Sequence, residues 1–123
     1  MAKILIIEDD EVIRTAYTTI FTHAGYEVSE AEDGQQGLLK AEEVKPDLII
    51  LDILMPKMDG NEFLRRYDVI NKHPEVKVVV LSNSTTATSI EETKKLGAGK
   101  YLVKSDYTPQ KLVDLVTAEL AAK

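Results

Sequence analysis

The chain has 123 residues, no cysteine, and 21 acidic against 15 basic side chains, for a formal net charge of −6. That length suits one compact domain, expected here over residues 1–123, which buries about two thirds of the surface its unfolded chain exposes. The acidic balance argues against direct nucleic-acid binding, which calls for a lysine and arginine excess, while the absence of cysteine excludes a disulfide framework, a thiolate metal site and a cysteine nucleophile.

The first element is the apolar run Ile4-Leu5-Ile6-Ile7, ended at once by Glu8-Asp9-Asp10. It is too short for a signal peptide or a membrane span, and its β-branched content predicts a central strand covered on both faces. With no targeting signal and no need of an oxidising compartment, the expected location is the cytoplasm. Val12, Ile13, Ala16, Tyr17, Ile20, Phe21 and Ala24 then recur at three- and four-residue steps, which predicts an amphipathic helix, and Gly25 follows where a helix end calls for positive φ. Tyr26 to Ala31 alternates weakly and contains Ser29 and Glu30, as an edge strand with one wet face would. Leu38, Ala41 and Val44 predict a second helix before Pro46, and Leu48-Ile49-Ile50-Leu51 a second central strand.

Phe63, Leu64, Tyr67 and Ile70 predict a third helix, and Val78-Val79-Val80-Leu81 a third central strand. The helix predicted between Thr85 and Leu96 has Ala87, Ile90 and Leu96 as its only clearly apolar positions, against Glu91, Glu92, Lys94 and Lys95. It is expected to be the most loosely held. Tyr101-Leu102-Val103 is short enough for the other edge strand, and Leu112, Val113, Leu115, Val116 and Leu120 predict a last helix, with Thr108 as its N-cap and Pro109 in its first position.

Five strands alternating with five helices predict an α/β doubly wound, mostly parallel sheet with right-handed crossovers and helices on both faces. In such sheets ligands bind beyond the carboxyl ends of the strands. The residues following the apolar runs are Glu8-Asp9-Asp10, Asp52, Ser82-Asn83 and Lys104-Ser105, so one rim gathers carboxylates, a hydroxyl and an ammonium. Crowded carboxylates repel unless one stays protonated or a hard cation neutralises them, and Mg²⁺ takes oxygen ligands while keeping waters and substrate phosphate. Asp9 and Asp52 are the expected direct ligands. A carboxylate facing such an ion can accept a phosphoryl group as an aspartyl-phosphate, with Ser82 and Lys104 stabilising the phosphoryl oxygens.

Each residue alone has an ordinary role. Asp10 suits an N-cap, Asp52 a turn former before Met55-Pro56, Ser82 a cap, and Lys104 a solvated surface lysine. Their joint placement on one rim is what favours the phosphoryl chemistry.

Four motifs in order carry a resemblance over essentially the whole chain: ILIIEDD, DLIILDILMPKMDG, VVVLSNS and GAGKYLVK. The sequence resembles a bacterial response-regulator receiver domain of the chemotaxis-regulator kind, with its flavodoxin-like (βα)5 fold and strand order 2-1-3-4-5. The resemblance implies Asp52 as phosphoacceptor, Glu8 and Asp9 as the acidic pair that binds Mg²⁺ or Mn²⁺ with Asp52, and the backbone carbonyl of Leu54 as a further metal ligand. It implies Ser82 as the switch hydroxyl, Lys104 as the phosphate-pairing lysine and Tyr101 as the aromatic that reorients. It also implies a phosphoryl donor in a sensor histidine kinase or phosphotransfer protein, and a downstream protein target met by the face around helix 85–96 and strand 101–103.

The chain departs from the family at Ser105, which stands where a proline in cis linkage is usual; the reach required of Lys104 favours a cis bond here too, at a cost of about 2.5 to 4 kcal/mol. Asn83 departs as well, standing where a small residue is common. The main rival is a phosphatase of the haloacid-dehalogenase type, which needs a second aspartate two positions after its nucleophile; that position is Leu54, which cannot activate water. The expectation is therefore a phospho-Asp52 that persists as a signal, and no enzyme. A constitutive receiver-like scaffold is the other rival, to be expected only if one of the site residues were missing. No nucleotide loop of the G-x-x-x-x-G-K-[ST] or G-x-G-x-x-G kind is present. The chain stops soon after its last predicted helix, which favours a stand-alone regulator.

Overall fold

The computed structural model describes residues 2–53, 58–82 and 87–121, without the side chains of residues 87–89. Five strands form one sheet: β1 (Lys3–Ile7), β2 (Glu27–Ala31), β3 (Leu48–Asp52), β4 (Lys77–Ser82) and β5 (Lys100–Val103). All pair in parallel, in the order β2-β1-β3-β4-β5. The helices are α1 (Glu11–His23), α2 (Gly34–Val44), α3 (Gly60–Tyr67), α4 (Val69–Lys72), α5 (Ala87–Lys95) and α6 (Pro109–Ala121).

The alternation of side chains along each strand divides the core in two. Leu5, Ile7, Ile49, Leu51, Val78 and Val80 pack with Ala41, Phe63, Leu64 and Tyr67 beneath α2 and α3. Ile4, Ile6, Leu48, Ile50, Val79, Leu81 and Leu102 pack on the other face with Tyr17 and Phe21 of α1 and Leu112, Val113 and Val116 of α6. β1, β3 and β4 are therefore apolar on both faces, whereas the outer strand β2 buries only Ala31 fully. At about 1.5 to 3 kcal/mol for each large aliphatic side chain removed from water, these two layers supply most of the drive to fold.

The predicted caps are in place. Asp10 Oδ1 accepts from the Ile13 amide at 3.0 Å, Gly25 takes φ +101° after α1, and Thr108 Oγ1 accepts from the Lys111 amide at 3.2 Å, with Pro109 opening α6. The predicted third helix is instead two. The Asp68 amide closes α3 on the Leu64 carbonyl while Asp68 itself turns left-handed at φ 53°, a conformation that aspartate tolerates better than most residues. The chain restarts as the single turn α4 and leaves Ile70 54% exposed. Val12, counted above in the apolar stripe of α1, is 79% exposed, because the inner face of that helix centres on Tyr17 and Phe21.

Of the helix predicted over 85–96, residues 85–86 and the side chains of 87–89, Ala87 included, lie outside the described residues. Among the described side chains of α5 only Thr93 is buried. Two of its described ties to α3 are polar: Thr93 Oγ1 donates to Asn61 Oδ1 at 2.8 Å, and Arg65 pairs with Glu92. No described helix is long and apolar enough to cross a membrane.

Candidate functional site

Register brings the strand ends level. Ile7 lies opposite Ala31 and Leu51, Asp52 opposite Leu81, and Ser82 opposite Val103. Glu8, Asp52, Ser82 and Lys104 are thus the last or next residues of four strands at one edge of the sheet. Continuing the pleat by two residues from Ile6, Ile50 and Leu102 puts Glu8, Asp52 and Lys104 on the α1–α6 face. Continuing it from Val80 puts Ser82 on the opposite face, the one against which Tyr101 packs half-buried. The three charged groups and the hydroxyl–aromatic pair therefore approach the rim from different sides.

The charged groups touch. Lys104 Nζ lies 2.8 Å from Glu8 Oε1 and 3.2 Å from Asp52 Oδ2. Glu8 Oε2 accepts from the Asp10 amide at 3.1 Å. Glu8 is 3% and Asp52 5% exposed, Ser82 is fully buried, and Asp9 is open to solvent. Burial pushes the Glu8 carboxyl up to about 7, with the charge of Asp52 acting the same way against the hydrogen bonds from Lys104 and the Asp10 amide. Burial on its own lowers Lys104, yet its bonds to Glu8 and Asp52 outweigh that and hold it above the ordinary lysine value. Tyr17, beneath the cluster, is raised chiefly by burial.

Ligand oxygens of Glu8, Asp9 and Asp52 lie within 4.8 Å of one another. An all-oxygen set carrying three carboxylates against one ammonium fits a hard divalent cation such as Mg²⁺. Asp10 turns away as the cap of α1. Leu54, expected to add a carbonyl, and Asn83 lie outside the described residues.

Every described peptide bond is trans, Lys104–Ser105 included, which corrects the cis expectation. β5 runs directly into a 3-10 turn over Lys104–Asp106, closed by the Tyr107 amide on the Lys104 carbonyl at 3.3 Å. Lys104 keeps its place in the pleat there, and its flexible four-carbon stem covers the distance to Asp52 without a change of isomer.

Sequence reasoning missed Arg14. Its Nη1 donates to the Glu8 carbonyl at 2.7 Å and its Nε to Glu30 Oε1 at 2.9 Å, so it fixes the backbone that presents Glu8 and Asp9. The available signal was its position one helical turn after the cap Asp10, with Glu30 near the end of the neighbouring strand β2.

A family model described as the response regulator receiver domain matches residues 4–117. The chemotaxis protein CheY of Listeria monocytogenes is 38% identical over 105 residues, spanning 85% of this chain and 87% of its own. The transcriptional regulatory protein AfsQ1 of Streptomyces coelicolor is 36% identical over 104 residues, 85% of this chain but only 45% of its own length. The crystal structure of the chemotaxis protein CheY4 of Vibrio cholerae superposes with a TM-score of 0.87 at 33% identity, covering 96% of this chain and 98% of that one.

Proposed function

Because the chain belongs to the response-regulator receiver family of two-component signalling, we propose that residues 1–123 act as one phosphoacceptor domain. Asp52 takes a phosphoryl group from the phosphohistidine of a sensor histidine kinase or phosphotransfer protein. The observation that carries this reading is the contact of Lys104 with both Asp52 and Glu8 at a buried, carboxylate-rich rim.

One carboxylate oxygen of Asp52 forms a bond to phosphorus as the phosphorus–nitrogen bond of the donor breaks. The electron pair of that bond leaves with the imidazole, which then takes up a proton. Such a transfer asks the protein for positioning and charge stabilisation more than for covalent chemistry of its own. β3 and the buried surroundings fix Asp52. Lys104, already 3.2 Å from Asp52 Oδ2, is placed to exchange that contact for a phosphoryl oxygen, and Ser82 at the end of β4 is the proposed donor to another. Glu8, Asp9 and Asp52 would hold Mg²⁺ or Mn²⁺, with the Leu54 carbonyl as a further ligand. The ion would neutralise the crowded negative charge of the carboxylates and the phosphoryl group.

The proposed output is a shift of Ser82 and Tyr101 that remodels the surface around α5 and β5 for a protein target, without direct contact to nucleic acid or insertion into a membrane. The polar, thinly packed seating of the described side chains of α5 supports that role, since an element with few buried apolar contacts is the least costly to move. The site is proposed to store the phosphoryl group in the cytoplasm and not to work as an enzyme: the residue two positions after Asp52 is Leu54, where a haloacid-dehalogenase-type phosphatase needs an acid–base. The complete set of Glu8, Asp9, Asp52, Ser82 and Lys104 disfavours a constitutive scaffold.

Heteronuclear NMR with Mg²⁺ and acetyl phosphate tests the switch. The expected result is a reversible change at Ser82, Tyr101 and α5 that decays as the phosphoryl group is lost. Changes confined to the residues around Asp52 would refute it.

A further inference from the structure

At the end of the sheet opposite Asp52, where α2 stops and β3 and β4 begin, a cleft of about 550 Å³ opens to solvent, within the range of about 300 to 1,000 Å³ that small-ligand sites occupy. Its polar lining is Glu42, Lys45, Asp47, Tyr67, His73 and Glu75, and Ala41, Pro46 and Val76 form a buried apolar floor. Three carboxylates against one ammonium leave the cleft negative. These acids do not converge as a metal site does: among the described residues the only carboxylate group tight enough for an ion is Glu8, Asp9 and Asp52. Asp47 Oδ2 accepts from the Lys3 amide at 2.8 Å, and its other oxygen makes no hydrogen bond among the described residues.

Tyr67 supplies the second observation. It is 4% exposed and its ring is held between Phe63 and His73, with centroids 5.4 and 4.1 Å away and planes 16° and 6° apart. Its hydroxyl nevertheless makes no hydrogen bond with any described residue. The ring is buried, but the hydroxyl is not sealed from solvent: among the described residues the one buried side-chain oxygen without a partner is Thr18 Oγ1, so the phenol oxygen opens into the cleft that Tyr67 lines. Burial, with the charge of Glu75 adding to it, pushes this phenol up to about 12, so it stays protonated and lies within the field of that acid. Its oxygen lone pairs are available to a donor that enters the cleft.

We propose that this cleft binds an alkylammonium group, with the Tyr67 hydroxyl accepting from the ammonium, Glu42, Asp47 and Glu75 balancing its charge, and Ala41, Pro46 and Val76 covering its hydrocarbon stem. A point ion would leave the apolar floor uncovered, and an anion would meet three carboxylates. The group has two sources, a free aliphatic diamine or polyamine and a lysine side chain of a partner protein, which share this chemistry. The site is independent of the phosphoacceptor reading.

The test is heteronuclear NMR titration of the full chain with putrescine and, separately, with Nα-acetyl-lysine N-methylamide. Expected are saturable shifts at Glu42, Tyr67, His73 and Glu75 for at least one probe, unchanged in Asp52→Asn. Tighter binding of the diamine identifies a free amine as ligand, and tighter binding of the lysine derivative a protein side chain. Tyr67→Phe keeps the ring stack and the net charge, so loose attraction of cations to an acidic protein would survive it. A built site should lose about three- to tenfold in affinity through the missing hydrogen bond. Glu75→Gln, an exposed change with little bearing on folding, should weaken binding several-fold. Shifts that never saturate, shifts centred on Glu8 and Asp9, or equal affinity in Tyr67→Phe would each overturn the proposal.

Discussion

Replacing Lys104 by methionine keeps a long side chain and removes the ammonium that lies 2.8 Å from Glu8 and 3.2 Å from Asp52. At an effective dielectric constant of about 20 each contact is worth about 5 to 6 kcal/mol of gross attraction, most of it offset by the cost of burying the three charges. Breaking a buried pair commonly costs about 3 to 5 kcal/mol. Here the loss should be smaller, about 1 to 3 kcal/mol near neutral pH, because Glu8, already raised to about 7, can take up a proton instead of remaining an unpaired charge. The same substitution removes the cation that competes with Mg²⁺ for Glu8 and Asp52. Urea unfolding with and without Mg²⁺ should therefore show Lys104→Met less stable than the parent in chelator, and stabilised more than the parent by the ion. A ligand at 100 times its dissociation constant adds about 2.7 kcal/mol, so the two increments are separable. Equal stability in chelator together with an equal gain from Mg²⁺ would refute the view that Lys104 neutralises the carboxylates.

Asp10→Ala should cost about 1 kcal/mol of stability through the lost cap on Ile13 while leaving Mg²⁺ affinity unchanged; Asp9→Asn should do the reverse, and unfolding curves paired with calorimetric titration distinguish them. Because Glu8 titrates at about 7 in the fold against 4.5 unperturbed, the folded state holds the extra proton between those values. Stability in chelator should then fall as pH rises through that window, while Mg²⁺ affinity rises. Calorimetry in buffers of different ionisation enthalpy should detect proton release on Mg²⁺ binding at pH 6 and almost none at pH 8. A Cβ on residue 60 would come 2.8 Å from both the Asp52 carbonyl oxygen and Ile53 Cα, so Gly60→Ala should cost about 1 to 3 kcal/mol and slow phosphorylation by displacing Asp52; an unchanged rate would mean that the loop absorbs the strain.

The three central strands were legible because runs such as Ile4–Ile7 and Val78–Leu81 are apolar at successive positions, which only a strand covered on both faces explains at that length. The site was legible for a related reason: each run ends on a polar residue, and parallel pairing brings those ends to one edge. Three things were hidden. Asp68 breaks the third helix by a backbone choice that apolar spacing does not record, and the support of Glu8 by Arg14 depends on a contact reaching across to Glu30 of β2. The trans bond after Lys104 follows from the 3-10 turn that succeeds β5, whereas the cis expectation underestimated what a lysine stem spans. Leu54 and Asn83, both singled out in the sequence, lie outside the described residues.

The most direct test of Asp52 as the phosphoacceptor is intact mass spectrometry of the parent chain and of Asp52→Asn after incubation with Mg²⁺ and acetyl phosphate. The parent is predicted to gain one phosphoryl group, an increment of about 80 Da, which is lost slowly as the acyl phosphate hydrolyses, and Asp52→Asn to gain none. The same increment in Asp52→Asn, or its absence in the parent at saturating Mg²⁺, would contradict the assignment.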